Sequence, residues 1–323
     1  MKILGIETSC DETGAAVVIN GRHILSNVVV SSLKEHTRYG GVLPEIASRR
    51  QLECIQPVVE EALRRARTTL QDIDRIAVTE SPGLIGSLLV GISFAGTLSA
   101  ALKIAYVAVD HVKAHAYANF ISPKRDFEQP KLPAVGLVVS GGHTNLYLIR
   151  SFKDMTLLGK TRDDAAGEAF DKVARICGLA YPGGPEIDRL SQGVKKGELQ
   201  FTCAQLPDTL DFSFSGIKTA VLYHVRNDKP LSARSVRQIA FAFQDSVVRT
   251  LVSKCLLAAR RQKVKTILVG GGVAANSRLR ERLKEEALRE GLNVYFPPLE
   301  LCLDNAAMIA GLAYHGRTTS KES

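Results

Sequence analysis

The strongest constraint in this 323-residue sequence is an order of elements that occurs twice. The first half reads as three strands, "KILGIET" (2–8), "AAVVIN" (15–20) and "HILSNVVVS" (23–31). A helix entered at Pro44, a strand "RIAVTE" (75–80), an apolar helix and a strand "YVAVD" (106–110) follow. The second half restarts after Pro133 with strands "AVGLVVS" (134–140), "NLYLIR" (145–150) and "MTLLGKT" (155–161). It continues with a helix from Ala165 to Cys177, a turn-rich stretch, and a long helix through "ARSVRQIAFAFQDSVVRTLVSKCLLAARRQ". Strand "TILVGG" (266–271), helix "NSRLRERLKEEALRE", strand "NVYFP" (293–297) and a final helix from Asn305 close the repeat.

Three strands followed by alternating helix and strand, used twice, predict an α/β chain with two lobes facing each other across a cleft. We divide it into an N-terminal lobe, 1–125, and a C-terminal lobe, 126–323, joined through the polar, proline-bearing "ISPKRDFEQPKLP" (121–133). Turn residues between Pro182 and Ala233 mark an insertion in the second half, and the final helix, 305–316, is expected to return toward the N-terminal lobe.

The run "LIGSLLVGISFAGTLSAAL" (84–102) carries no charge over the length that spans a bilayer. It has no Trp or Tyr at its ends and leads at once into a strand, so it is expected to be a helix buried between layers, with no membrane involved. The N-terminus turns polar too early for a signal peptide, and the six cysteines lie far apart without metal or disulfide spacing. Reduced thiols and a cytoplasmic location are the expectation. A formal charge of +9 suits a polyanionic partner such as RNA, although the basic clusters are interleaved with glutamates as on solvated helix faces.

Ligands of open α/β sheets gather beyond the carboxyl ends of strands. The turns after the first strand of each half, "TSCDETG" (8–14) and "SGGHT" (140–144), therefore become candidate anion or nucleotide contacts. Either alone is equally a hairpin turn; equivalent places in both halves strengthen the pair. "VGGGVAAN" (269–276) is a third glycine-rich turn before a helix, without a Walker lysine or the Rossmann spacing.

"DHVKAHA" (110–116) sets His111 and His115 one helical turn apart, where both reach one face, with Asp110 placed to cap the helix. Val112 stands where a zincin has its glutamate, which argues against a metalloprotease. Asp304, in "LCLDNAAMIAG", is the best third ligand if it is not merely a helix cap. Two histidines and one carboxylate suit Fe(II), or Zn(II) with fewer waters.

The strings "GIETSCDET", "YGGVLPEIASR", "PGLIGSLLVG", "LVVSGGHTNLY", "DDAAGEAFDKVARICGLAYPGGPEID", "DFSFSGIKTAV", "VGGGVAANSRLR" and "PPLELCLDNAAMIA" closely resemble the bacterial TsaD family, the tRNA threonylcarbamoyladenosine transferases. The similarity runs from residue 2 to about 315. It implies duplicated RNase H-like lobes of the actin, Hsp70 and sugar-kinase type. It further implies transfer of a threonylcarbamoyl group from threonylcarbamoyl-adenylate to N6 of adenosine 37 in tRNAs reading codons that begin with A.

By the same resemblance His111, His115 and Asp304 hold one divalent metal, usually iron. Val138, Val139, Ser140, Gly141 and Gly142, with Asp171, Gly184, Asp188 and Asn276, contact the adenylate or an ATP-type nucleotide. A TsaB-type paralogue and a TsaE-type ATPase are the implied partners besides tRNA. Asp11 or Glu12 is assigned from location as acceptor of the N6 proton. Leu303 departs from the family's usual Thr, which bears on hydrogen bonding behind the metal, and relatives often continue past "HGRTTSKES" with a longer tail, which puts contacts made by that tail in question. An ATP-dependent kinase of the same fold and a non-catalytic nucleotide-binding regulator are the competing readings.

Overall fold

A computed structural model describes residues 1–37, 39–194, 199–228 and 230–316. The tail from 317 onward, on which the short-tail expectation rests, lies outside the described residues, as do 195–198 and 229 within the expected insertion.

The chain forms two units, one of residues 1–130 with 297–323, the other of residues 131–296. In the first, β1 (Lys2–Glu7), β2 (Glu12–Ile19) and β3 (His23–Ser31) lead through the short α1 (Leu33–Thr37) to α2 (Pro44–Ala66). Then come β4 (Arg75–Ser81), α3 (Ile85–Leu102), β5 (Tyr106–Asp110) and α4 (His111–Tyr117). The second unit begins with β6 (Ala134–Val139), β7 (Thr144–Ser151) and β8 (Asp154–Lys160). It continues through α5 (Ala166–Ile176), α6 (Gly183–Ser191), α7 (Ser215–Asn227), α8 (Ala233–Gln262), β9 (Thr266–Gly270), α9 (Ser277–Arg289) and β10 (Asn293–Tyr295). Finally α10 (Ala306–Ala313) belongs to the first unit.

The duplication is explicit in the sheets. Each has five strands, ordered β3-β2-β1-β4-β5 in the first unit and β8-β7-β6-β9-β10 in the second. The opening three strands pair antiparallel and the last two join parallel. The parallel pairs need helical crossovers, which the sequence supplies with α2, α3 and α8, α9. The segment expected to be an insertion carries α6 and α7, both packed on α5 and α8.

Alternation along β1 decides what covers each face. Leu4 and Ile6 join the apolar cluster with Ile55, Val58, Val59 and Ala62 of α2. Gly5, on the other face, lies directly against the backbone of α10: an added Cβ there would collide with the Ala306 carbonyl and Ala310. The glycine lets the last helix of the chain settle on its first strand.

One expectation fails. The uncharged run of α3 is buried on one face only, through Ser87, Val90, Gly91 and Ala95, while Ile85 and Leu89 are 78% and 57% exposed. The helix is long and apolar enough to cross a membrane by length and composition. Here it packs beside α2 over β4, and Ile85 and Leu89 on its outer face remain exposed. Hydropathy reports which residues avoid water, not which side of a helix has a neighbour.

Candidate active site

His111 and His115 sit where β5 ends and α4 begins. Asp110 caps α4 through its side chain, accepting from the Lys113 N–H at 2.9 Å, and so fixes the turn that starts it. The two imidazoles lie one turn apart, ring centroids 4.7 Å apart and nearly perpendicular. Asp304 precedes α10 and reaches them: its Oδ1 is 3.1 Å from His115 Nε2 and 3.5 Å from His111 Nε2. The competing cap role for Asp304 is excluded, because Asn305 caps α10 by accepting from the Met308 N–H at 3.0 Å.

The two Asp304 separations, 3.1 and 3.5 Å, lie close to those around a shared cation. Bonds of about 2.1 Å meeting at about 90–110° hold donor atoms roughly 3.0–3.4 Å apart. The ligand atoms of His111, His115 and Asp304 all lie within 4.8 Å of one another. His115 is the decisive member: 1% exposed, it makes no hydrogen bond at either ring nitrogen, although Asp304 is close. A buried polar atom without a partner is costly, and a bound ion is the partner that suits this one. Asp304 is 20% exposed in its side chain, which leaves the group open on that side.

Carboxylates crowd this position. Burial opposes charge on His111, yet Asp304 and Glu7 outweigh it and push its pKa up to about 9. Glu7 is buried, which alone would favour its neutral form, but the charge and hydrogen bond of His111 hold its pKa below the ordinary value. Glu12 goes the other way: burial, then the negative charges of Asp304 and Asp11, push it up to about 10. Of the proposed proton acceptors, Glu12 therefore keeps its own proton at neutral pH in the metal-free protein and shares a hydrogen bond with Asp11.

The turn bearing Asp11 and Glu12 is held from outside. Gln51 of α2, almost fully buried, donates to the carbonyls of Cys10 and Glu12 at 3.0 Å each. Ser87 of α3 donates to the Cys10 carbonyl, and Ser32 donates to that of Asp11 through its side chain and backbone. Sequence reasoning found neither Gln51 nor Glu7. A polar residue facing the core side of an amphipathic helix, and a glutamate closing an otherwise apolar strand, were the available signals.

The remaining candidates all fall in the second unit. Ser140 closes the turn after β6, its N–H donating to the His143 carbonyl at 2.8 Å and its Oγ accepting from the His143 N–H. Gly141 and Gly142 follow it, exposed, with φ outside the left-handed region and nothing within 4 Å of an added Cβ. Neither backbone strain nor packing inside the unit asks for glycine there. Val138 and Val139 are fully buried in β6, so only their backbone can meet a ligand.

Gly271 of the "VGGGVAAN" turn adopts φ of 89° and abuts the Val139 carbonyl, which brings that turn beside the first. Asp171 of α5 accepts the N–H groups of Gly183, at 2.7 Å, and Gly184; burial raises its pKa despite them. Asp188 accepts from Ser277 N and Oγ at 3.1 and 2.8 Å. Asn276 caps α9 and donates to Gln244 Oε1 at 2.8 Å. Each of these three side chains already positions a helix start, whatever else it contacts. Leu303 turns its side chain outward, 57% exposed, while its carbonyl accepts from Asn305.

A family model described as tRNA N6-adenosine threonylcarbamoyltransferase, TsaD, matches residues 23–311. Curated proteins of that name are similar over nearly full length. One from Syntrophus aciditrophicus is 50% identical across 96% of this chain and 90% of its own. One from Clostridium botulinum is 50% identical across 99% and 95%, and one from Moorella thermoacetica 48% across 97% and 91%. Among solved structures, component A of the Acidaminococcus fermentans (R)-2-hydroxyglutaryl-CoA dehydratase superposes with a TM-score of 0.56, covering 98% of each chain at 16% identity. HypF of T. kodakarensis gives 0.63 over 97% of this chain and 47% of that one, at 14% identity. These two carry the fold alone, an α/β architecture of the actin and sugar-kinase type.

Proposed function

The chain belongs to the TsaD family, the tRNA N6-adenosine threonylcarbamoyltransferases, and from that premise we propose how its residues divide the reaction. It transfers the threonylcarbamoyl group to N6 of adenosine in tRNA. More finely, the donor is threonylcarbamoyl-adenylate and the acceptor adenosine 37 of tRNAs reading codons that begin with A. The N6 nitrogen attacks the carbamoyl carbon, the bond from that carbon to the phosphate oxygen breaks, and AMP departs with the electron pair.

The observation that carries the site is His115, buried beside Asp304 with no hydrogen-bond partner for its ring. His111, His115 and Asp304 would hold one Fe(II) or Zn(II) ion. When bound, such an ion supplies positive charge that withdraws electrons from a carbonyl or phosphate oxygen. The mixed anhydride is already activated, so no protein nucleophile is required; positioning is worth several kcal/mol of barrier. The open backbone of Gly141 and Gly142 suits close approach of the adenylate, whose developing charge their N–H groups would stabilise. Val138, Val139 and Ser140 extend that edge, and Asp171, Gly184, Asp188 and Asn276 are assigned to the nucleotide with it. Asp11 or Glu12, carried together on the turn after β1, is assigned to receive the proton leaving N6.

A TsaB-type paralogue and a TsaE-type ATPase complete the proposal. The exposed apolar residues Ile85 and Leu89 of α3 and Leu52 of α2 support a protein partner, and a charge of +9 supports tRNA. Six free cysteines accord with the cytoplasm. The test is mass analysis of nucleosides from tRNA incubated with the purified protein, these partners, threonine, bicarbonate and ATP. Threonylcarbamoyladenosine is expected; its absence in a mixture that works with a known enzyme overturns the reading.

A further inference from the structure

We propose that Glu7 is a positioning residue: it keeps a proton on Nδ1 of His111 and so presents Nε2, and not Nδ1, to the cation. The inference rests on the metal reading above and adds a residue that reading does not use.

Glu7 ends β1 on the same face as Gly5, the face that α10 covers, and is 1% exposed. A carboxylate so buried needs every lone pair answered. Oε1 accepts the Ser9 N–H; Oε2 accepts the Thr79 hydroxyl at 2.6 Å and lies 3.0 Å from His111 Nδ1. The Ser9 amide can only donate. At Nδ1 two arrangements are conceivable, because the Ser9 hydroxyl also lies 3.1 Å away and could donate to a bare ring nitrogen. That arrangement would set the nitrogen lone pair against a carboxylate oxygen at 3.0 Å, a repulsion the protonated Nδ1 turns into a charge-assisted hydrogen bond.

A ring with its proton on Nδ1 carries its lone pair on Nε2 when neutral. Nε2 is the atom that faces Asp304. The two ligands are therefore unequal. His115 has no hydrogen-bond partner at either nitrogen and owes its orientation to packing, whereas His111 is oriented by a buried acceptor that spans β1, β4 and α4. This is the carboxylate–histidine–metal arrangement known to tune metal ligands generally.

Glu7→Gln keeps the shape but brings an NH2 group. Its hydrogens face either the Ser9 N–H, donor against donor, or the Thr79 hydroxyl and His111 Nδ1; the hydroxyl can turn to accept, but Nδ1 can accept only by giving up its proton, so the tautomer that presents Nε2 is lost. Zn(II) affinity of the full chain, measured by competition with a chromophoric chelator, is expected to weaken about 10–100-fold in Glu7→Gln. Thr79→Val removes a donor to the same carboxylate but leaves the Glu7–His111 pair; it should lower the melting temperature while leaving zinc affinity within about threefold of wild type. A merely structural Glu7 would move both variants together.

In zinc-loaded wild type, long-range proton–nitrogen NMR should show His111 protonated at Nδ1 and bound through Nε2, a readout that stands even if Glu7→Gln does not fold. Zinc bound through Nδ1, or a folded Glu7→Gln with unchanged affinity, overturns this inference alone. A wild type that takes up no zinc overturns the metal reading and the inference with it.

Discussion

The two turns that follow the first strand of each sheet occupy equivalent places in the duplicated order, yet their chemistry is opposite. After β1 the turn carries Asp11 and Glu12, and Gln51, Ser87 and Ser32 hold its carbonyls from neighbouring elements. After β6 the turn carries Gly141 and Gly142, where an added Cβ would meet nothing within 4 Å. A duplicated frame repeats the order of the strands but leaves the residues of each turn free to differ. The first gathers negative charge near the two imidazoles, a setting that suits a cation; the second carries no side chains at Gly141 and Gly142, a setting that suits close approach to backbone.

The comparison breaks most completely at Asp304. Asp304→Ala removes a proposed ligand, so zinc affinity should fall by more than about 100-fold, beyond the effect of groups one step behind an ion. Chelator competition reads this, and an unchanged affinity would remove the cation from the first turn's side.

Next is Gly142→Val in the other turn. Nothing in the unit opposes the larger side chain, so melting should be unchanged while KM for the adenylate donor rises about tenfold, the equivalent of about 1.4 kcal/mol. An unchanged KM with intact folding would reduce the glycines to turn geometry.

A smaller effect is expected from Gln51→Ala. It leaves carbonyls of the first turn without their donor, costing about 1–3 kcal/mol of stability by chemical denaturation. A cost near zero would mean that water replaces the side chain and that the turn is held elsewhere.

The slightest expected difference is in pH response. In the metal-free protein the folded state raises His111 from 6.5 to about 9, so its proton stabilises the fold fully below pH 6.5 and that stability is lost as pH rises through 9. Glu12, raised from 4.5 to about 10, acts with the same sign over a wider window: its proton stabilises the fold fully below pH 4.5, and that stability is lost as pH rises through 10. The melting temperature of the metal-free chain should therefore decline between about pH 6.5 and 9, and His111→Gln should flatten the decline.

Much of this was legible in the residues. Strand order followed from periodicity because both sheets alternate or bury whole runs, and each predicted strand lies within a few residues of its position. The histidine pair was legible because a four-residue step on a helix has one geometric meaning. Asp304 and Asn305 could not be ranked as caps, since both residue types accept an N2 or N3 amide equally well. The α3 run concealed its exposed side because every position is apolar or small, so no polar stripe marks the face that packing leaves open. Glu7 and Gln51 were hidden for another reason: their partners lie tens of residues away, and only the folded register of β1 with β4 and α2 brings them into reach.

The seat of α10 on Gly5 has a consequence for how the molecule comes into being. The first strand is made well before the helix that covers one of its faces and before the aspartate just ahead of that helix, with residues 131–296 in between. Residues 131–296 are contiguous and can complete their sheet while the earlier one waits half-clothed. His111, His115 and Asp304 come together only once residue 304 has been made, so a chain cut short before it lacks one member of the trio.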